Sequence, residues 1–309
     1  MEELLQLLHI DPAVAKIHPL QCEFPLRVPH GFIQRMVKGD DRDPLLLQVL
    51  PVAQETIEVA GFTRDPLDEH SAMPTPGLLH KYRSRALLTM TGACAIHCRY
   101  CFRRHFPYAD ANPVTGQWQP AIMHLTQHPD ITELILSGGD PLTLTDARLY
   151  SLTDQLATVT QLRTLRIHTR LPIVLPARVD SGLLSWINAQ ALKVIFVVHC
   201  NHPNEIDQSV TAALDKLTAA GVTLFNQSVL LRDINDSAAT LARLSECLFA
   251  AGVIPYYLHQ MDRVQGAAHF RVSNERAREI MAELRASLPG YLLPRLVQEI
   301  PGMPGKTPL

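Results

Sequence analysis

The chain has 309 residues, 47% of them apolar and 19% charged, which is enough to bury a large core and too apolar for a disordered segment. A formal net charge of −2 gives no bulk attraction for a nucleic-acid backbone. No apolar run approaches the roughly 18–20 residues that span a bilayer, and the acidic start MEELLQLLHIDP lacks the basic stretch of a secretory signal, so a soluble cytoplasmic protein is expected.

Residues 1–80 read as an irregular, mostly helical extension. MEELLQLL is amphipathic, GFIQRMVKG is a short helix candidate, and prolines from Pro19 to Pro76 punctuate the rest. From residue 85 short apolar runs alternate with helical patterns. Strands are expected at 85–90, 132–136, 163–168, 193–198, 222–225 with its neighbours, and 254–259. Helices are expected near 119–128, 145–158, 179–190, 205–219, 237–250 and 274–287. This alternation predicts an α/β fold with a parallel sheet. Six units are too few for an eight-fold barrel, so a partial (β/α)6-type barrel over 81–309 is expected. Chemistry in such folds sits at the carboxyl ends of the strands. Polar residues follow all six: Thr91 and the cysteines beyond it, SGGDP (137–141), Thr169 and Arg170, HCNHPNE (199–205), Asn226 to Ser228, and Gln260 to Asp262.

Cys94, Cys98 and Cys101 fall within eight residues as C-x3-C-x2-C. A structural zinc site wants four ligands, usually two separated pairs. Cys22, Cys200 and Cys247 are scattered singles that read as core cysteines. Three thiolates leave a metal centre with one open position, and on a [4Fe–4S] cluster that is one iron free for a ligand. His97 is a possible fourth ligand but reads as a bystander. A non-catalytic iron–sulfur redox or regulatory module and a plain zinc protein remain alternatives at this point.

Lysine is scarce: only Lys16, Lys38, Lys81, Lys193, Lys216 and Lys306. Alone, Lys306 in PGMPGKTPL reads as a solvated tail residue, and HKYRSR (80–85) as a basic strand edge. Together they offer a lysine able to form a Schiff base, a cationic phosphate clamp in Lys81, Arg83 and Arg85, and an aromatic plate in Tyr82. That combination suggests pyridoxal phosphate.

C-x3-C-x2-C after a first strand, Tyr100 before the third cysteine, and SGGDP after the second strand resemble the radical S-adenosylmethionine superfamily. The fuller set resembles the lysine 2,3-aminomutases: LLHKYRSRALL (78–88), CAIHCRYCFRRHF (94–106), LSGGDP (136–141), RIHTRLPIVLPAR (166–178), HCNHPNE (199–205), NQSVLLRDIND (226–236), PYYLHQMD (255–262), GAAHF (266–270) and GKTP (305–308). Within that family the chain is most similar to the short bacterial branch that helps modify translation elongation factor P. The resemblance implies a [4Fe–4S] cluster on Cys94, Cys98 and Cys101, with S-adenosylmethionine on the open iron. Gly138, Gly139, Asp140, Arg170, His199 and Gln227 would line the S-adenosylmethionine side. Lys306 would carry pyridoxal 5′-phosphate, Tyr82 would stack on its ring, and Arg85 with Lys81 would face its phosphate. Arg103 would pair with the substrate carboxylate, and Asp262 with Glu299 would hold its distal ammonium. The implied reaction converts L-α-lysine to (R)-β-lysine, for a ligase acting on elongation factor P.

Two departures from the family stand out. Larger members hold a structural zinc with clustered C-terminal cysteines and one more cysteine, at the position of Ser237 here, so no structural zinc is expected. Glu299 also replaces the usual aspartate. An aminomutase for another amino acid, such as glutamate, is the nearest alternative. Asp262 and Glu299 argue against it, because a negative substrate tail would meet like charges.

Overall fold

The computed structural model describes residues 1–11, 24–108 and 118–309; Cys22 lies outside them. One nine-stranded sheet organises the chain. Its strands are β1 (Leu78–Tyr82), β2 (Arg85–Thr89), β3 (Glu133–Ser137), β4 (Thr164–Thr169), β5 (Lys193–Val198), β6 (Thr223–Leu230), β7 (Ile254–Gln260), β8 (Arg295–Gln298) and β9 (Thr307–Pro308). They neighbour one another in chain order and the sheet does not close on itself. Strands β2 to β8 run parallel, while β1 and β9 pair antiparallel at the two edges. A partial α/β barrel results. The six expected strands are β2 to β7, and β1 runs across residue 80.

Helices Gln119–Gln127, Asp146–Leu156, Ser181–Asn188, Gln208–Ala219, Ala238–Ala250 and Asn274–Ser287 form the outer layer. Local chemistry sets four of their starts. The side chains of Asp180, Asp207, Ser237 and Ser273 accept from the backbone N–H groups of Leu183, Val210, Thr240 and Arg276, satisfying donors that a helix start leaves free. Ser237 therefore serves as a helix cap. Asp207 also moves the start of its helix past the expected residue 205, so Glu205 lies in a preceding 3-10 turn.

Two further differences from the sequence expectation matter for the site. Asn226, Gln227 and Ser228 lie inside β6, not after it, and a register irregularity separates Asn226 from Gln227. Burial alternates along this strand, as period-2 geometry requires. Phe225, Gln227 and Val229 face the interior cavity. Asn226 and Ser228 face the other way and hold Cys200: its N–H donates to Asn226 Oδ1 (2.9 Å), and Ser228 Oγ donates to its carbonyl (2.8 Å). At the opposite edge, β9 pairs Thr307 with Gln298. That pairing folds the glycine- and proline-rich loop back and sets Lys306 beside Glu299.

The N-terminal segment packs on the barrel through Leu4, Leu5, Leu8, Phe32, Leu45, Leu46 and Val49, all in one continuous core with the sheet and helices. A buried polar tie supplements that contact. Glu205 is fully buried. Its carboxylate accepts from Gln48 Nε2 (3.1 Å), Arg170 Nη2 (2.9 Å), and the backbone N–H groups of Asn201 and His202. Among the described residues no helix is long and apolar enough to cross a membrane.

Replacing Glu205 by alanine strands the buried Arg170 guanidinium, which is expected to cost about 3–5 kcal/mol. Denaturant titration checks this, with the exposed Glu283→Ala as a control expected to stay within about 0.5 kcal/mol of the parent.

Candidate active site

A cavity of about 540 Å³ runs along the inside of the sheet. Every residue singled out above for the cluster, the cofactors and the substrate lines it except Arg83, whose exposed side chain pairs with Asp130 (3.0 Å) outside the cavity. It extends from the carboxyl strand ends at Ser137, Thr169 and His199 to the amino-terminal starts at Arg85, Glu133 and Arg166. Arg85 and Thr89 bound β2 and lie roughly 13 Å apart at about 3.3 Å per residue. The rule of chemistry at carboxyl ends therefore accounts for only one end of the cavity.

The cysteine end is built by two loops that touch through their backbones. Met90 N donates to Ser137 O (2.8 Å), Gly139 N to Thr91 O (2.6 Å) and Asp140 N to Ala93 O (2.8 Å). A Cβ on Gly138 would come within 2.7 Å of Thr91 O, and one on Gly139 would overlap the Ala93 carbonyl; Gly138 also has φ 123°. Both glycines line the cavity, yet closeness to the cysteine loop is what demands them. Asp140 lines it too, but its carboxylate is spent as a tie. It accepts from Thr169 Oγ1 (2.7 Å), Arg170 N (2.7 Å), Leu171 N (3.1 Å) and Leu142 N (3.1 Å). Burial pushes its pKa up to about 6 despite these bonds.

Cys94, Cys98 and Cys101 are free thiols within the same wall. Burial and the neighbouring thiols push Cys94 above the ordinary thiol range, and burial with the charge of Cys98 lifts Cys101 to about 11. Thiolates buried at Cys94 and Cys101 are unfavourable without a cationic partner, so the three-cysteine donor set fits an iron–sulfur cluster. Arg170 Nη1 contacts Cys98 Sγ at 2.7 Å. His97 instead bonds through Nδ1 to Pro25 O (2.7 Å) and stacks on Phe24. Farther along, Gln227 Nε2 donates to His199 Nε2 (2.8 Å). Burial and nearby Arg170 hold His199 down to about 3, so it stays neutral.

The remaining candidates are joined by an alternating chain of charges. Glu69 accepts from Arg103 Nε and Nη2, both at 2.7 Å, and Ser137 Oγ accepts from Nη1 (3.0 Å). These bonds use three of the five guanidinium N–H groups and leave one on each terminal nitrogen. Lys81 Nζ lies 3.9 Å from Glu69 Oε1 and 3.2 Å from Glu299 Oε1. Lys306 Nζ lies 2.9 Å from Glu299 Oε2 and 5.7 Å from the centre of the Tyr257 ring. Burial alone would raise Glu299, but Lys306 and Lys81 bring it down to about 2. Asp262 has the opposite balance. Burial and the charge of Glu299 push it up to about 7, only partly offset by Lys306. Tyr82 carries the Arg85 guanidinium 4.2 Å above its ring.

Glu69 was not anticipated. It sits in the turn-rich segment DPLDEH, where no periodicity or motif marks it. His168 and His259 were also missed. Both line the cavity, and each leaves a buried Nε2 without a hydrogen-bond partner, as does Thr307 Oγ1. Unpartnered buried polar atoms beside a lysine, a tyrosine and an arginine fit a polar ring ligand such as pyridoxal phosphate.

Gly139→Ala is expected to force the two loops apart at about 1–3 kcal/mol and to lose most of its iron and sulfide after anaerobic reconstitution. Gly290→Ala, with open space at its Cβ, should load like the parent. Elemental analysis per chain checks both.

Comparison with known proteins agrees with this geometry. A family profile described as "4Fe-4S single cluster domain" matches residues 83–168. An L-lysine 2,3-aminomutase of Escherichia coli (strain K12) is 51% identical over 100% of this chain and 90% of its own length. The enzyme of that name from Haemophilus influenzae is 48% identical over 92% and 84%. The one from Buchnera aphidicola is 42% identical over 99% and 90%. A solved radical SAM methyltransferase from Sphaerobacter thermophilus superposes with TM-score 0.49 and 17% identity over 72% of this chain and 68% of its own. At such identity over its full length, the chain belongs to the L-lysine 2,3-aminomutase family of isomerases.

Proposed function

We propose that the chain converts L-α-lysine to (R)-β-lysine by moving the amino group from Cα to Cβ, using a [4Fe–4S] cluster, S-adenosylmethionine and pyridoxal 5′-phosphate. The observation that carries this reading is the single cavity in which a cysteine triad, a buried arginine, Lys306 and two acidic groups meet. When bound, the cluster with S-adenosylmethionine supplies a hydrogen-abstracting radical, and pyridoxal phosphate supplies a π-system through which nitrogen migrates.

The chain's own residues position and shield. Cys94, Cys98 and Cys101 hold the cluster. Gly138, Gly139, Asp140, Arg170, His199 and Gln227 shape the S-adenosylmethionine side. Lys306 offers its amine to the pyridoxal carbonyl, Tyr82 lies flat against the ring, and Arg85 with Lys81 balances the phosphate. The free edge of Arg103 reads the substrate carboxylate in bidentate fashion. Asp262 and Glu299 read the ε-ammonium. Were Lys306 Nζ joined to pyridoxal phosphate, Glu299 would keep Lys81 and have a carboxylate oxygen free for the substrate ammonium. Burial keeps water from the radicals. The resemblance to the short bacterial branch supports a role in supplying β-lysine to a ligase for elongation factor P. A reducing cytoplasm would suit the three thiolates.

An anaerobic assay of the reconstituted chain with L-lysine, S-adenosylmethionine, pyridoxal phosphate and dithionite should yield β-lysine. Fully loaded protein that leaves lysine unchanged would overturn the proposal. Lys306→Ala should lose the visible absorbance of bound pyridoxal phosphate and the borohydride-trapped peptide while keeping its iron.

Asp262 supplies a pH signature. Its carboxyl is raised to about 7, so it is ionised above that pH and gains a proton below it. Lysine affinity should therefore fall as pH drops through 7, by up to about tenfold per unit. Asp262→Asn should remove this limb and weaken lysine binding by about 2–5 kcal/mol. Binding titrations from pH 5.5 to 8.5 read both effects.

A further inference from the structure

We propose that His80, His124 and His128 form a second metal site, for one divalent late transition ion such as zinc, that fastens β1 to the helix Gln119–Gln127. Their ligand nitrogens all lie within 4.8 Å of one another, and each residue is half-buried. The three come from two separate parts of the chain. His80 lies on β1 between Leu79 and Lys81; those two line the active-site cavity and His80 does not. His124 lies in the last turn of the helix and His128 is its C-cap, with φ −119° and ψ 79°, and the two rings stack.

The geometry suits a metal. His80 Nδ1 and His124 Nε2 are 3.1 Å apart. Two nitrogens that share a zinc at about 2.0–2.1 Å, at angles between 90° and tetrahedral, are separated by roughly 2.9–3.4 Å. The His80 ring stands at 80° to both partners, with centroids at 5.2 and 5.4 Å, while His124 and His128 stack at 3.9 Å. His128 Nδ1 donates to the carbonyl of His124 (2.7 Å), which places its proton there and leaves Nε2 to coordinate. A backbone acceptor on the far nitrogen is how metal-bound histidines are held in the correct tautomer. Imidazole sets of this kind favour zinc, copper or nickel, and three ligands leave one position for water.

The expectation that no structural zinc is present concerned a cysteine set, and this donor set is separate from it. It is also separate from the cluster cysteines. Its consequence is mechanical: β1 carries Lys81 and Tyr82 into the active site, so an ion at His80 would steady the strand that presents them.

The test uses cluster-loaded protein under anaerobic conditions, titrated with zinc against a chromogenic indicator. X-ray absorption at the zinc edge follows. The expected result is one zinc per chain, a shell of nitrogen or oxygen at about 2.0 Å with imidazole scattering, no sulfur at about 2.3 Å, and unchanged iron content. Loss of an outer-shell partner costs roughly 10–100-fold in metal affinity, so loss of a ligand in His124→Ala or His128→Gln should cost at least about a hundredfold. The exposed His70→Ala should bind like the parent. Zinc should raise the thermal midpoint of the parent and leave that of His124→Ala unmoved. Sulfur in the zinc shell, affinity equal to the parent's in both His124→Ala and His128→Gln, or no saturable binding would each overturn the proposal.

Discussion

Charges inside a protein are tolerated only when their partners are close and well aimed. The cavity of this chain is organised by that constraint. Arg103, Glu69, Lys81, Glu299 and Lys306 alternate in sign along its wall, each within about ion-pair distance of the next. The members come from distant segments: the cysteine loop, a turn-rich stretch of the extension, β1, the end of β8 and the loop before β9. No one of them can be buried without its neighbours, so the chain of charges depends on the whole fold being in place. Among the described residues Asp262 makes no ion pair, and burial with the charge of Glu299 raises its pKa. A zwitterion with a carboxylate at one end and an ammonium at the other has the charge pattern that such a wall accepts.

A second buried network supports the cluster end. Gln48, Arg170 and Glu205 bind one another, and Arg170 reaches Cys98. Asp140 fastens the glycine turn to the end of β4 through Thr169, Arg170 and Leu171. Several polar residues at the strand ends thus position other residues and do not themselves offer free groups to a ligand. The N-terminal segment enters the same network through Gln48 and through Arg35, which donates to the Glu205 carbonyl and also to Ile173 O (2.8 Å). It is part of the scaffold of the site as well as a cover on the barrel.

Much of this was legible in the sequence because local signals and tertiary demands agree. Strands β2 to β7 are apolar runs bounded by turns, and four of the helices between and after them start at Asp or Ser caps. The cysteine spacing, SGGDP and the lone tail lysine stand out because residues of those types are rare in such settings. Other features lacked a local signal. LLHKY passes from apolar to polar midway, RLVQ is four residues long, and β9 is two, so only pairing with a neighbour makes them strands. The β9 pairing is also what turns Lys306 from a tail residue into a cavity residue. Asn226 and Ser228 look like polar residues beyond a strand, whereas β6 continues through them to bond Cys200. Glu69 with Arg103, and His80 with His124 and His128, are meetings of distant segments, which spacing alone cannot reveal.

The central claim is that the charged wall orients lysine, carboxylate toward Arg103 and ε-ammonium toward Asp262 and Glu299. A crystal structure of the anaerobic chain with cluster, S-adenosylmethionine, pyridoxal phosphate and L-lysine tests it most directly. The expected result is a bidentate Arg103–carboxylate pair, retention of the Arg103–Glu69 contact, and an ammonium within about 3 Å of both acidic groups, with Glu299 no longer bonded to Lys306. Lysine bound in the reverse direction, or Glu299 still paired with Lys306 while the ammonium sits in solvent, would contradict it.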